Sequence, residues 1–167
     1  MSANTFIGRL GDFDFLVGRW RVGNRRLRRR FAGCDEWDEF AATSQAWVNL
    51  DGAASIDEIH FPTRGFSGLT LRSLDRETEQ WAIYWINSTN GRVLPAVRGG
   101  FDGDRGEFYG EDTDDGRPVR VRFIWTRLGD RAARWEQAFS LDGREWETNW
   151  VMDFKRADAP AALKEIA

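Results

Sequence analysis

The chain has 167 residues, 41% hydrophobic and 14% aromatic, with nine Trp and twelve Phe. That is ample material for one core and excludes disorder for the bulk of the chain, so residues 1–167 are read as a single domain. The net charge is −3, from 24 basic and 27 acidic side chains, and exerts no global pull on nucleic acid. No apolar run approaches the roughly 18 residues of a membrane span. Met1 to Arg9 carry no secretory signal, and the lone Cys34 allows no internal disulfide. The expected setting is a reducing cytoplasm.

Short alternating segments separated by Gly and Asp turns take the place of helical periodicity. In chain order, a short helix is predicted over 12–17, followed by strands over 19–28, 35–42, 45–50, 55–61, 68–74, 81–87, 97–101, 107–113, 119–128, 133–140 and 146–156. A second short helix is predicted over 160–166. Segments 35–42 and 45–50 can form one long bent strand, which leaves about ten strands. Consecutive hairpins imply an up-and-down meander, and closure removes its exposed edges. The fold class is therefore all-β: an antiparallel up-and-down barrel of about ten strands with short terminal helices.

Two hairpins can be aligned from their turns. A two-residue primed turn at Asp115-Gly116 pairs Phe108 with Phe123 and Gly110 with Val121 on one face, and Glu111 with Arg120 on the other. The same turn at Asp142-Gly143 pairs Phe139 with Trp146, Gln137 with Thr148 and Trp135 with Trp150 on the inner face. Glu136 then lies opposite Asn149, and Ala138 opposite Glu147, on the outer face. Between Leu128 and Arg131 an odd loop or bulge is needed to keep Trp125 and Trp135 on one face, and Gly129 suits it.

The chemistry-bearing residues are few. Arg25, Arg26, Arg28, Arg29 and Arg30 form a basic cluster. Asp35, Glu36, Asp38 and Glu39 balance it, and without interleaved aromatics it reads as a solvated strand end. His60, the sole histidine, lies between Ile59 and Phe61 and faces solvent if they face the core. Glu111, Asp112, Asp114 and Asp115 lack the glycine spacing of a calcium loop. Gly99, Gly100, Gly103 and Gly106 precede a strand, not the helix a phosphate cradle requires. No metal or cofactor is expected, and no Ser or Cys catalytic set is recognisable.

What remains is an aromatic face with a few amides. The expected ligand-binding residues are Trp81, Trp85, Phe123, Trp135 and Phe139, with Asn87 or Gln137 orienting a polar end. The expected partner is a small apolar or aromatic ligand. Nucleic acid and membrane are not expected, and a homodimer is left open. An enzyme, such as an isomerase or cyclase acting inside the barrel, would need an interior acid or base; Glu136, Glu107 and Tyr84 are its candidates. An interaction domain would instead show a barrel packed solid.

The segment Phe13-Asp14-Phe15-Leu16-Val17-Gly18-Arg19-Trp20 resembles the opening of calycin-type barrels. In lipocalins the Trp of this Gly-x-Trp closes the barrel floor, and a basic residue at the end of the last strand packs over it. Lys155 or Arg156 stands at that end here. Over nearly its whole length the chain resembles a family of uncharacterised bacterial lipocalin-like domains. The shared motifs include Asp57-Glu58-Ile59, Trp85-Ile86-Asn87-Ser88, Gly106-Glu107-Phe108-Tyr109-Gly110, Trp135-Glu136-Gln137-Ala138-Phe139-Ser140 and Trp146-Glu147-Thr148-Asn149-Trp150. The resemblance implies a lipocalin-like barrel and brings no assigned activity. The more distant nitrobindins share the Leu-x-Gly-x-Trp opening and ligate heme through a late histidine. No His follows His60 here, so no heme is expected.

Overall fold

A computed structural model describes residues 5–157. The predicted helix 160–166 lies outside the described residues. Ten antiparallel strands follow one another: β1 (Gly18–Leu27), β2 (Trp37–Asn49), β3 (Ala54–Phe61), β4 (Phe66–Asp75), β5 (Gln80–Asn87), β6 (Val97–Asp102), β7 (Arg105–Asp114), β8 (Arg117–Arg127), β9 (Ala132–Ser140) and β10 (Glu147–Arg156). Each strand pairs with its neighbours in sequence, and β1 pairs with both β2 and β10, so the barrel is closed. The segments read as one bent strand are indeed one, β2, whose first part pairs with β1 and whose last part pairs with β3. The predicted helix 12–17 is a single 3-10 turn, Asp14–Leu16.

The Asp115-Gly116 hairpin has the expected register, with Phe108 opposite Phe123 and Glu111 opposite Arg120. Both turn residues have positive φ, +49° and +77°, as a primed turn requires. Trp125 lies opposite Trp135, across an odd loop at 129–131 that begins with Gly129 at φ +101°. The last hairpin departs from expectation. Of Asp142 and Gly143, only Gly143 has positive φ, and the turn is not a two-residue one. Asp142 Oδ1 accepts the N–H groups of Arg144 and Glu145 at 2.8 and 2.9 Å, which organises a wider connection over 141–146. Those N–H groups, Arg144 first, hold the Asp142 carboxyl below its ordinary pKa.

The wider turn places Phe139 opposite Glu147, and a bulge between Thr148 and Trp150 then brings Trp150 opposite Gln137. Turn and bulge together displace the register by two residues, so side-chain parity survives. Trp135 and Trp150 both stay inside, with ring centroids 5.7 Å apart at 83°. Asn149 is the correction: expected outside opposite Glu136, it is the extra residue of the bulge and is buried.

Aromatic packing closes one end. Phe13, beside the 3-10 turn, meets Trp81 edge-on at 5.0 Å and Phe101 at 5.3 Å. Trp20 Nε1 donates to Leu16 O at 2.8 Å, and the Arg156 guanidinium lies 4.2 Å over the Trp20 ring. Arg156 also donates to the carbonyls of Val17 and Phe15 at 2.7 and 2.9 Å, tying the last strand to the plug. The basic residue expected over Trp20 is thus Arg156; Lys155 is exposed.

The glycines of β6 and β7 permit close approach of backbones. A Cβ at Gly99 would sit 1.9 Å from Glu107 O, and one at Gly100 would sit 2.2 Å from the Ile7 carbonyl carbon. Gly99→Ala is therefore expected to lower stability by about 3 kcal/mol or more, at the upper end for overpacking, because the obstruction is backbone. Urea denaturation measures this; a midpoint equal to the parent's would rule out the close approach.

Candidate functional site

The barrel interior holds a chamber of about 100 Å³ lined by residues from β3 through β10. Its walls are mainly apolar: Ile59, Ile83, Val121, Phe123, Trp125, Trp135, Trp150, Met152 and Phe154. An outer vestibule of about 220 Å³ shares Trp85, Leu94, Asp112, Gln137 and Trp150 with it. Phe66, Trp150 and Arg26 form part of the vestibule wall. Phe61 stacks on Phe66 at 4.6 Å and reaches Trp150 at 5.9 Å, while Arg26 lies 4.5 Å over Trp150.

The opening follows from a short seam. β5 pairs with β6 only over Trp81, Ala82 and Ile83. Beyond Ile83 the chain from β5 to β6 folds back, with Leu94 N–H on Trp85 O at 3.0 Å and Ile86 bridged to Val93. Pro95 has no N–H to extend the ladder. Leu94 and Pro95 therefore line the chamber instead of sealing it with strand.

Four of the seven expected ligand-binding residues, Trp85, Phe123, Trp135 and Gln137, line the chamber. Asn87 and Phe139 line the vestibule. Trp81 lines neither; it is fully buried in the floor, and its Nε1 donates to Asp12 Oδ2 at 3.0 Å. Gln137 does not pair with Thr148. Its Nε2 donates to Asn149 Oδ1 at 2.8 Å, because the bulge carries Asn149 inward. Asn87 Oδ1 is engaged locally by Thr89 N–H at 2.9 Å and Thr89 Oγ1 at 2.8 Å.

The main polar feature of the chamber was not among the expected residues. Arg72, only 2% exposed, lines it together with Asp57 and Thr70. Arg72 Nη2 donates to Asp57 Oδ2, and Nη1 donates to Ser55 Oγ at 3.2 Å. The guanidinium stands 4.9 Å over the Phe13 ring, so the pair rests on the aromatic floor. The signal for Asp57 was present: in β3 it is two residues from Ile59 and shares its face.

The proposed acid and base candidates lie elsewhere. Inward Trp135, Phe108 and Trp85 place Glu136, Glu107 and Tyr84 on the outer face by alternation. Glu107 there accepts from Tyr109 OH at 2.6 Å and Arg105 Nε at 2.8 Å. Burial, and then the bond to Glu107, push the Tyr109 hydroxyl above its ordinary pKa. His60 is exposed, 3.1 Å from Ser67 Oγ and 3.3 Å from Glu58, as its flanking residues imply. Among the described residues, no group of three His, Cys, Asp or Glu side chains could hold a metal, and no helix is long and apolar enough to cross a membrane.

No family model and no curated protein matches the chain. Among solved structures it is similar to a redesigned β-barrel, at a TM-score of 0.50 and 8% identity, over 90% of this chain and 99% of that one. The likeness is one of architecture: this chain is a closed, ten-stranded antiparallel β-barrel.

Proposed function

We propose that the protein binds a small apolar or aromatic molecule inside a calycin-like barrel, without nucleic acid or membrane as partner and in the cytoplasm. The observation that carries this reading is the aromatic-walled chamber that opens through a vestibule where the β5–β6 pairing ends. Such a site combines apolar contact area with a few placed polar groups, the usual constitution of a small-molecule pocket. The Trp20–Arg156 floor and the Gly18-Arg19-Trp20 opening support the calycin kinship. At about 100 Å³ the chamber is smaller than the ~150 Å³ cavity that holds benzene in an engineered protein. A ligand of one ring fits if part of it extends into the vestibule.

Monocyclic aromatic compounds are expected to quench the intrinsic fluorescence, because Trp85, Trp125, Trp135 and Trp150 line the chamber. Val121→Phe, which fills the chamber from β8, is expected to weaken the response at least tenfold while unfolding remains cooperative. Silence of the parent protein across a varied panel would remove the ligand-binding reading and leave that of an interaction domain.

A further inference from the structure

The polar end of the chamber carries an inference that rests on the ligand-binding reading and specifies the ligand. Two arms of the Arg72 guanidinium are engaged, Nη2 by Asp57 and Nη1 by Ser55. Its Nε–H is buried and has no acceptor among the described residues. A buried donor without a partner is costly, and one belonging to a charged, rigidly held guanidinium forms strong hydrogen bonds. Thr70 stands beside Arg72 in the same wall.

Charge narrows the choice further. Arg72 and Asp57 neutralise each other, so a second charge placed beside them in this apolar space would have no counter-ion. The vestibule carries Arg26 and Arg92 as well as Asp112, so the paired charges of the chamber, and not the entry path, select against a charged ligand. We propose that the occupant is an uncharged ring compound whose carbonyl-type oxygen accepts the Arg72 Nε–H, its ring lying against Ile83, Phe123, Trp125 and Trp135.

Three probes of similar size test this by titration calorimetry: acetophenone, ethylbenzene and benzoate. Hydrophobic transfer alone would rank ethylbenzene first. The proposal expects acetophenone to bind about tenfold more tightly than ethylbenzene, the range of one hydrogen bond to a charged donor, and benzoate to bind most weakly. Arg72→Lys keeps a cation opposite Asp57 but removes the Nε–H, and is expected to erase the acetophenone preference. Should that variant fail to fold, Arg72→Met combined with Asp57→Val removes the whole pair, and the preference should vanish there too. Ethylbenzene binding as well as acetophenone overturns the acceptor assignment but leaves the ligand-binding reading standing, as does benzoate binding best. Failure of all three to bind the parent protein overturns both.

Discussion

Arg72→Met alone is expected to lower the unfolding free energy by about 3–5 kcal/mol, and adding Asp57→Val to it is expected to restore most of that loss. The single change leaves the Asp57 carboxylate buried on the barrel wall without its cation, and also takes the Nη1 donor from Ser55. The double change removes both charges, and the adjoining chamber leaves room for the added methyl groups of Val. Denaturant unfolding of the two singles and the double forms a complete cycle, with a coupling of several kcal/mol expected. Additive effects, with the double mutant the least stable of the set, would show that the pair does not act as a unit. The comparison also separates two roles: if the double mutant is as stable as the parent, the ion pair is not retained for stability, which favours recognition.

Trp20→Ala is expected to cost about 3–5 kcal/mol, the range for truncating a fully buried aromatic. Trp20 is 2% exposed and meets Phe154 edge-on at 6.0 Å, while its indole N–H holds the end of the 3-10 turn at Leu16. Truncation opens the floor and leaves the Leu16 carbonyl without its donor. Arg156→Met keeps an apolar stem over the ring but loses the donors to Phe15, Val17 and Asp130, and should cost less, about 1–3 kcal/mol. If thermal unfolding of Trp20→Ala coincided with the parent's, the 3-10 plug would not be anchored through this residue.

Much of the fold was legible because period-two alternation and turn chemistry are local. The Asp115-Gly116 hairpin followed from two residues that tolerate positive φ, with aromatic and charged pairs falling into place across it. Asp142-Gly143 misled because the same dipeptide served a different turn, in which the Asp side chain captures backbone N–H groups. The bulge at Asn149 has no distinct sequence signal, yet it decides which amide Gln137 meets.

The alternation of aromatic and polar residues along β5, β8, β9 and β10 determined by itself that these strands enclose an aromatic interior, since a half-buried strand must segregate its faces. Only the tertiary structure decided what stands within it. In β4, Leu69 and Leu71 alternate with Thr70 and Arg72, and burial of the leucines would be the simplest local solution. The barrel does the opposite: Leu69 and Leu71 are 36% and 37% exposed, and Arg72 is interior. The reason is non-local. Arg72 finds Asp57 and Ser55 on β3 and the rings of Phe13 and Trp125 from opposite ends of the chain, and the face of β4 is set by those partners. The chamber is equally a tertiary outcome, because it opens where the pairing of β5 with β6 ends after Ile83 and, among the described residues, only the short 93–94 segment pairs with the rest of that edge of β5.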